Sequence, residues 1–350
     1  MQDLHDDHER YRKQSMQLTL TDIFEARRAI AGRVVRTPLL PSRFMTEQTG
    51  QPFFLKMETM QPTGAFKLRG ATNAARNAPE GTTTLTCCST GNHGRGVAYA
   101  ARELGLNAVI CMSSLVPQTK LDGIRALGSE TRIVGNSQDD ALAECRKLGQ
   151  ATGVFEISPF DDPYVIAGQG TIGLEILEDV PNLDTLLVPL SGGGLAAGVA
   201  LAAKSINPQV RVVGLTMDRG AAMKTSIDAG RPVEVPEVAS LADSLGGGIG
   251  LDNRLSFAMC RDLLDEIILV TEGEIYRAMQ ALYYEDSHVA EGACVVGIAA
   301  ILAGKLTAPK GPVATIITGR NVDMVQFTKV MTGQDVMLGD YLLEGKPYGA

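Results

Sequence analysis

The chain has 350 residues, more than one ordinary hydrophobic core carries, so two lobes or one large α/β unit is expected. Hydrophobic residues make up 45% and charged residues 21%, a foldable globular balance that excludes a disordered or fibrous chain. The net charge of -8 argues against nucleic-acid and anionic-membrane partners, and no apolar run reaches the roughly 18 residues of a membrane span.

Residues 1–16 are mostly polar and charged. They lack the apolar stretch of a signal peptide, so a disordered tail on a cytoplasmic protein is expected. The tail contains His5-Asp6-Asp7-His8, but a solvated end is the simpler reading and no metal is assigned to it. A helix is expected over 22–31 and a strand over 53–57. Strand 84–88, helix 95–104, strand 108–112, helix 119–127 and strand 131–134 then alternate, forming a βαβαβ block. Helices over 139–148 and 171–177 lead to strand 185–190, helix 195–205 and strand 210–215. Strand 267–270, helix 272–284, helix 293–303 and strand 313–317 complete the pattern. Thr271-Glu272-Gly273-Glu274 has the spacing of a capping box for the helix that follows it. This alternation predicts an α/β fold with mainly parallel sheets. The simplest organisation is a small lobe, 76–161, inserted into a large lobe made from 17–75 and 162–350. The crevice between lobes is then the default ligand site. Six cysteines (Cys87, Cys88, Cys111, Cys145, Cys260, Cys294) show no C-x-x-C spacing. They read as buried thiols in a reducing compartment rather than as disulfides or a zinc site.

Three short segments carry chemistry. Lys67 lies in Gln61-Pro62-Thr63-Gly64-Ala65-Phe66-Lys67-Leu68-Arg69-Gly70, an amine between a Thr-Gly turn and an apolar ring. Such a lysine is a candidate covalent nucleophile. Strand 185–190 runs into Ser191-Gly192-Gly193-Gly194, and a helix follows. Glycines let backbone N–H groups crowd an anion, and the helix start adds partial positive charge, so a phosphate is expected there. Strand 84–88 ends in Ser89-Thr90-Gly91-Asn92-His93-Gly94, again before a helix, with hydroxyls and an amide in the lining. That loop suits a carboxylate, and an ordinary N-cap is the plainer alternative. An amine, a carboxylate cradle and a phosphate cradle are together what an enzyme needs for imine chemistry on pyridoxal phosphate. A rival reading exists. Gly192-x-Gly194-x-x-Ala197 fits a dinucleotide fingerprint, and Asp218 lies near the end of the next strand, as in an NAD-dependent dehydrogenase. That rival leaves Lys67 and the Asn92 loop unexplained.

The segments Pro62–Gly70, Ser89–His93, Ser191–Leu195 and Thr318-Gly319-Arg320-Asn321 resemble the four signature segments of the fold type II pyridoxal-phosphate enzymes. The likeness runs from about Leu18 to Asp323 and is greatest to the serine/threonine dehydratase and serine racemase branch. The run Leu241-Ala242-Asp243-Ser244-Leu245-Gly246-Gly247-Gly248-Ile249-Gly250-Leu251-Asp252-Asn253 is similar to the hydroxyectoine-utilization dehydratases. The resemblance implies a tryptophan synthase β-like fold, pyridoxal 5'-phosphate as cofactor, a homodimer and an amino-acid substrate. It implies that Lys67 links to the cofactor aldehyde and then shuttles the substrate proton, with Phe66 along the cofactor edge. Asn92 would meet the phenolic oxygen. Gly192, Gly193, Gly194 and Leu195 would hold the phosphate, and Thr318, where the family usually has serine, the pyridine nitrogen. Ser89, Thr90, Gly91 and His93 would hold the substrate carboxylate, with Ser244 near the substrate.

Departures from the family pattern bear on activity. Ala65 stands where the family has serine, removing a hydroxyl. Racemases place a serine at the position of Thr90 as the opposite-face acid and base, so racemization is an alternative activity on this scaffold. The racemases' cation-binding acids would fall near Thr216 and Ala222, neither a carboxylate, so no divalent metal site is expected. Arg320 replaces a glycine and reads as a structural ion pair or a contact to an acidic substrate group. Ser244 also occupies a glycine position, consistent with a bulkier or more polar substrate than serine. About thirty residues follow Asn321, too few for the family's regulatory domain, so catabolic use is expected. The expected reaction is β-elimination from a β-hydroxy amino acid, giving a 2-oxo acid and ammonia. Serine, threonine, 3-hydroxyaspartate and a hydroxyectoine-derived hydroxydiaminobutyrate all qualify, and the subgroup likeness favours the last. A non-catalytic binding protein that retained the fold is a further alternative.

Overall fold

In the computed structural model, which describes residues 18–350 except 90, 115 and 117, the strands are three to seven residues long and most of them are apolar runs. The tail with its His5–His8 run and Thr90 lie outside the described residues. In chain order the strands of the two larger sheets are β1 (Leu39–Pro41), β2 (Phe53–Met57), β3 (Thr84–Cys88), β4 (Asn107–Met112), β5 (Glu130–Ile133), β6 (Val154–Glu156), β7 (Thr185–Pro189), β8 (Arg211–Met217), β9 (Glu266–Val270) and β10 (Val313–Ile317). They build a six-stranded sheet in the order β1-β2-β10-β7-β8-β9 and a four-stranded sheet in the order β5-β4-β3-β6. Every pairing in these sheets is parallel except β1 with β2. The α/β architecture read from the alternation is thus the one observed. Parallel sheets are covered on both faces, so their central strands become unbroken apolar runs. Thr-Leu-Leu-Val-Pro of β7 and Val-Ala-Thr-Ile-Ile of β10 are buried at every position.

The chain divides into two compact units. One comprises Gln61–Thr171 with the N-terminal segment to Val35; the other comprises Arg36–Met60 and Ile172–Ala350. The first holds the four-stranded sheet, with a core that includes Ala71, Leu85, Val97, Ile110 and Ile124. The second holds the six-stranded sheet, with a core that includes Phe53, Leu187, Val213, Val296 and Ile317. A lysine buried in that second unit is paired rather than left bare. Lys56 Nζ donates to Glu175 at 2.6 Å and to the Thr37 carbonyl at 2.7 Å. Burying a charge is tolerable only with such partners.

Several elements differ from expectation. The helix expected over 171–177 extends across Pro163–Asp179, its apolar face interrupted by Gly168, Gly170 and Gly173. A helix not expected at all, Lys67–Arg76, follows the candidate lysine directly. It is buried almost all round: Leu68, Ala71, Ala74 and Ala75 form a stripe of mostly small apolar residues, and Arg69, Thr72 and Asn73 are inside as well, so the polar residues mask the pattern. Strand β6 is three residues long and carries no periodic signal of its own. The capping box at Thr271 is present: Glu274 N–H donates to Thr271 Oγ1, and Thr271 N–H donates to the Glu274 carboxylate at 2.8 Å. No disulfide joins the described cysteines, of which Cys88 is half-buried and the others are buried. No described helix is long and apolar enough to cross a membrane.

Candidate active site

In parallel sheets the loops that leave the carboxyl ends of neighbouring strands open on one edge. In the first unit, β3 and β6 are such neighbours. The loop after β3 is Ser89–Gly91, and the loop after β6 contains Ile157 and Pro159. Lys67, the first residue of its helix, meets the second of these loops: its Nζ donates to the Pro159 carbonyl at 2.7 Å. The Phe66 ring lies 5.4 Å from the same Nζ. Gly64 in the turn just before has φ of 76°, a backbone that favours glycine, and its N–H donates to the Gln61 carbonyl at 2.7 Å. Burial in this surround lowers the Lys67 pKa to about 8, the thiol of Cys87 counteracting slightly. Desolvation disfavours the ammonium form, so a substantial fraction of the amine is neutral near pH 8.

The helix Asn92–Leu104 packs along the helix that begins at Lys67. A Cβ at Gly96 would lie 3.3 Å from the Lys67 carbonyl oxygen and from Ala71 Cβ, so the small residue permits this approach. Asn92 and Gly91, at the start of that helix, are half-buried. Ser89 Oγ accepts the Gly91 N–H at 3.4 Å, the N-cap-like contact weighed as the plain reading of this loop. His93 is buried, and its Nε2 lies 2.9 Å from the Ile157 carbonyl. A carbonyl only accepts, so Nε2 carries the ring proton and Nδ1 does not. Burial, then the charge of Lys67, pushes the His93 pKa down to about 3, which keeps the ring neutral. The ring is therefore turned to the Ile157 loop. Nδ1 is buried without a hydrogen-bond partner among the described residues.

In the second unit, β7 and β10 are adjacent and parallel, so Ser191–Gly193 and Thr318 leave the same edge of the sheet. Gly193 caps the helix Gly194–Ile206 with φ of 91°, in the left-handed region. Two side chains of the helix Leu255–Leu263 tie the loop down. Ser256 Oγ donates to the Gly192 carbonyl at 2.7 Å and Cys260 Sγ to the Gly193 carbonyl at 3.5 Å. A trans peptide points its N–H opposite its C=O. With those two carbonyls held toward one helix, the N–H groups of Gly193 and Gly194 face away from it. They join the free N–H groups of the helix start, which is the arrangement of an anion cradle. Leu195 is the second residue of that helix and is buried.

Thr318 is buried directly after β10 and contacts Cys294 through its hydroxyl, Oγ1 to Sγ 3.2 Å. Glu291, buried three residues before Cys294, accepts the Asn321 N–H at 2.9 Å and a hydrogen bond from Ser244 Oγ. The second unit thus gathers Thr318 and Ser244 around Glu291 and Cys294. The first gathers Lys67, Phe66, Ser89, Gly91, Asn92 and His93. Arg320 is exposed and forms no ion pair with a described residue, so the expected structural pair is not found. Sequence reasoning missed the Ile157–Pro159 loop, Glu291 and Cys294. The first acts through carbonyls, and no side-chain motif marks it. The other two are single polar residues in an apolar run.

Residues 7–319 match the family described as pyridoxal-phosphate dependent enzyme. A Sinorhizobium fredii protein provisionally named threonine dehydratase is 52% identical over 318 residues, 90% of this chain and 96% of that one. The L-threonine ammonia-lyase of Thermotoga maritima is 38% identical over 335 residues, 93% of this chain and 83% of that one. Among solved structures, maize serine racemase superposes with a TM-score of 0.84 at 33% identity, covering 89% of this chain and 96% of that one.

Proposed function

The chain belongs to the pyridoxal-phosphate dependent enzymes, and from that premise we propose β-elimination of water from a β-hydroxy amino acid, with release of ammonia. It is a lyase of the dehydratase type, and its cofactor is pyridoxal phosphate. The dinucleotide reading of the glycine loop gives way to this cofactor. The residues present fit it. Lys67 offers an amine already shifted toward its neutral form, and Gly193, in the left-handed region and with no room for a Cβ against Met223, Cys260 and Ser256 behind it, keeps the turn that aims the N–H groups outward.

The observation that carries the proposal is the desolvated Lys67 amine beside the Asn92 loop. When bound, the cofactor supplies an electron sink that acidifies the Cα–H of the substrate. We assign Lys67 as the residue that would hold the cofactor by its amine and whose neutral amine would take the Cα proton of the substrate. The N–H groups of Gly192, Gly193, Gly194 and Leu195 would hold the phosphate, Asn92 the phenolic oxygen, and Phe66 the cofactor edge. The Thr318 hydroxyl would meet the ring nitrogen and, as a neutral group, would bring no charge to hold a proton there. A weaker electron sink suits elimination, in which charge departs with the leaving group. Ser89, Thr90 and Gly91 hold the substrate carboxylate, joined by the backbone N–H of His93, whose ring is engaged elsewhere.

The finer proposal is that the substrate is the hydroxydiaminobutyrate derived from hydroxyectoine. It is supported by the likeness of Leu241–Asn253 and by Ser244 and Glu291, which place a hydroxyl and a carboxylate together where a second ammonium group could be met. A panel of serine, threonine, 3-hydroxyaspartate and hydroxydiaminobutyrate, with both Cβ stereoisomers, tests both levels by 2-oxo acid and ammonia release. Hydroxydiaminobutyrate is expected to give at least about tenfold higher kcat/KM, the worth of one charge-assisted contact. Better turnover of threonine removes the finer reading and keeps the coarser. Racemization of serine without ammonia release replaces elimination by the racemase reading. A cytoplasmic homodimer is proposed with it, and analytical ultracentrifugation checks the oligomer.

The Lys67 pKa also predicts a pH dependence. Only the neutral amine attacks an aldehyde, and its fraction grows as pH rises through about 8. The rate at which cofactor-free protein takes up pyridoxal phosphate is therefore expected to climb between pH 6.5 and 9.5 with a midpoint near 8. Stopped-flow absorbance measures it, and a flat profile contradicts the assignment.

A further inference from the structure

Cys294 sits at the end of the short turn Gly292–Cys294, just before the helix Val296–Leu302. Its sulfur has three polar neighbours: Thr318 Oγ1 at 3.2 Å, the Gly319 carbonyl at 3.0 Å and the Gly319 N–H at 3.1 Å. A thiol has one proton to give. The Gly319 N–H can only donate, so it uses the sulfur as acceptor. The thiol proton then goes either to the Gly319 carbonyl or to Thr318 Oγ1, and the two choices have opposite consequences. Donation to the carbonyl would require Thr318 to spend its own O–H on sulfur. Donation to Thr318 leaves that O–H free.

The surroundings decide between them. The Gly319 carbonyl already accepts the Glu291 N–H at 3.0 Å. Sulfur is a weak acceptor, whereas a hydroxyl oxygen is a good one. The thiol keeps its proton, because burial and the neighbouring Glu291 push the Cys294 pKa up to about 12. We propose that Cys294 is a positioning residue whose thiol donates to Thr318 Oγ1, so that the Thr318 O–H is directed at the ring nitrogen of the cofactor. This rests on the assignment of Thr318 to that nitrogen. It adds a cause: the hydroxyl is a donor there because a second donor, Cys294, occupies its oxygen.

The test uses the holoenzyme variants Thr318→Val, Cys294→Ala, Cys294→Ser and the double variant Thr318→Val/Cys294→Ala. The absorption spectrum of the bound cofactor and its dissociation constant are measured. Thr318→Val is expected to shift the spectrum and to raise the dissociation constant about three- to tenfold, the loss of one hydrogen bond. Cys294→Ala is expected to reproduce the shift, with a dissociation constant raised no more than in Thr318→Val. The double variant should match Thr318→Val alone, because the thiol acts only through the hydroxyl. Cys294→Ser, which keeps a donor, should restore the parent spectrum. Cys294→Val keeps the volume without the proton and replaces the alanine form if that does not fold. A shift in Thr318→Val but none in Cys294→Ala overturns the proposal and leaves the Thr318 assignment standing. Effects that add in the double variant also overturn it. No shift in Thr318→Val removes the assignment itself and the proposal with it.

Discussion

Lys67→Ala is expected to be colourless in the near-visible cofactor band and to lose at least roughly a thousandfold in kcat. A positioned acid or base alone is worth about 10²–10⁴, and the covalent link disappears with it. Borohydride treatment of the parent enzyme should fix the cofactor to the peptide that contains Lys67, read by mass spectrometry. Attachment at another lysine would falsify the assignment. The fold should survive the substitution. The Lys67 amine is a desolvated group with a pKa lowered to about 8, against roughly 10.4 in an unfolded chain. Between those values the unfolded chain binds more protons than the folded one, so parent stability rises with pH there. Below about pH 8 the folded chain bears the full cost of the buried ammonium. Without cofactor, Lys67→Ala should therefore compare best with the parent near pH 7 and lose ground as pH rises to 10. Thermal unfolding at the two pH values measures this, and a pH-independent difference would show that the amine is not desolvated.

Lys67 and the glycine run at 192–194 were legible because each imposes a local constraint: an amine next to an apolar ring, and a strand that turns into a helix through residues without Cβ. Strands β2, β3 and β10 were placed to the residue, because central parallel strands are uninterrupted apolar runs between turn residues. The helix Lys67–Arg76 was not legible, since its apolar stripe is short and mostly alanine and is mixed with Gly70, Thr72, Asn73 and the fully buried Arg69. Arg69 is held by Thr171 Oγ1 at 3.1 Å and by the Val35 carbonyl at 3.2 Å, partners no local pattern could supply. The carbonyls that receive Lys67 and His93 are 92 and 64 residues away along the chain. Contacts of that range follow from sheet order, and the order depends on β6, which is too short to announce itself. The Cys294–Thr318 contact was hidden for a related reason. A cysteine in an apolar run reads as core until the strand that ends at Ile317 brings a hydroxyl to it.

Gly193→Val should separate the phosphate cradle from the rest of the site. At φ of 91° a β-branched residue is a backbone outlier, so strain is expected before any contact is considered. The added Cβ would also stand 2.7 Å from Met223 Cε, 2.9 Å from Cys260 Sγ and 3.1 Å from Ser256 Cβ. Met223 ends in a flexible chain and can yield. Cys260 and Ser256 cannot yield freely, because their donors hold the Gly193 and Gly192 carbonyls in place. Pushing them away releases those carbonyls, and the N–H groups on the other side of the same peptides lose their aim. Two charge-assisted hydrogen bonds to a phosphate are worth about 3–6 kcal/mol, so affinity for pyridoxal phosphate should fall at least about a hundredfold. Folding stability should fall by about 2–3 kcal/mol from the strain alone. Equilibrium dialysis gives the first quantity and denaturant unfolding of the cofactor-free protein the second, which distinguishes a lost cradle from a lost fold. A valine variant that unfolds earlier yet binds the cofactor as tightly as the parent would move the phosphate away from this turn. Lys67 would remain a candidate nucleophile, since it belongs to the other unit, where the Pro159 carbonyl holds its amine.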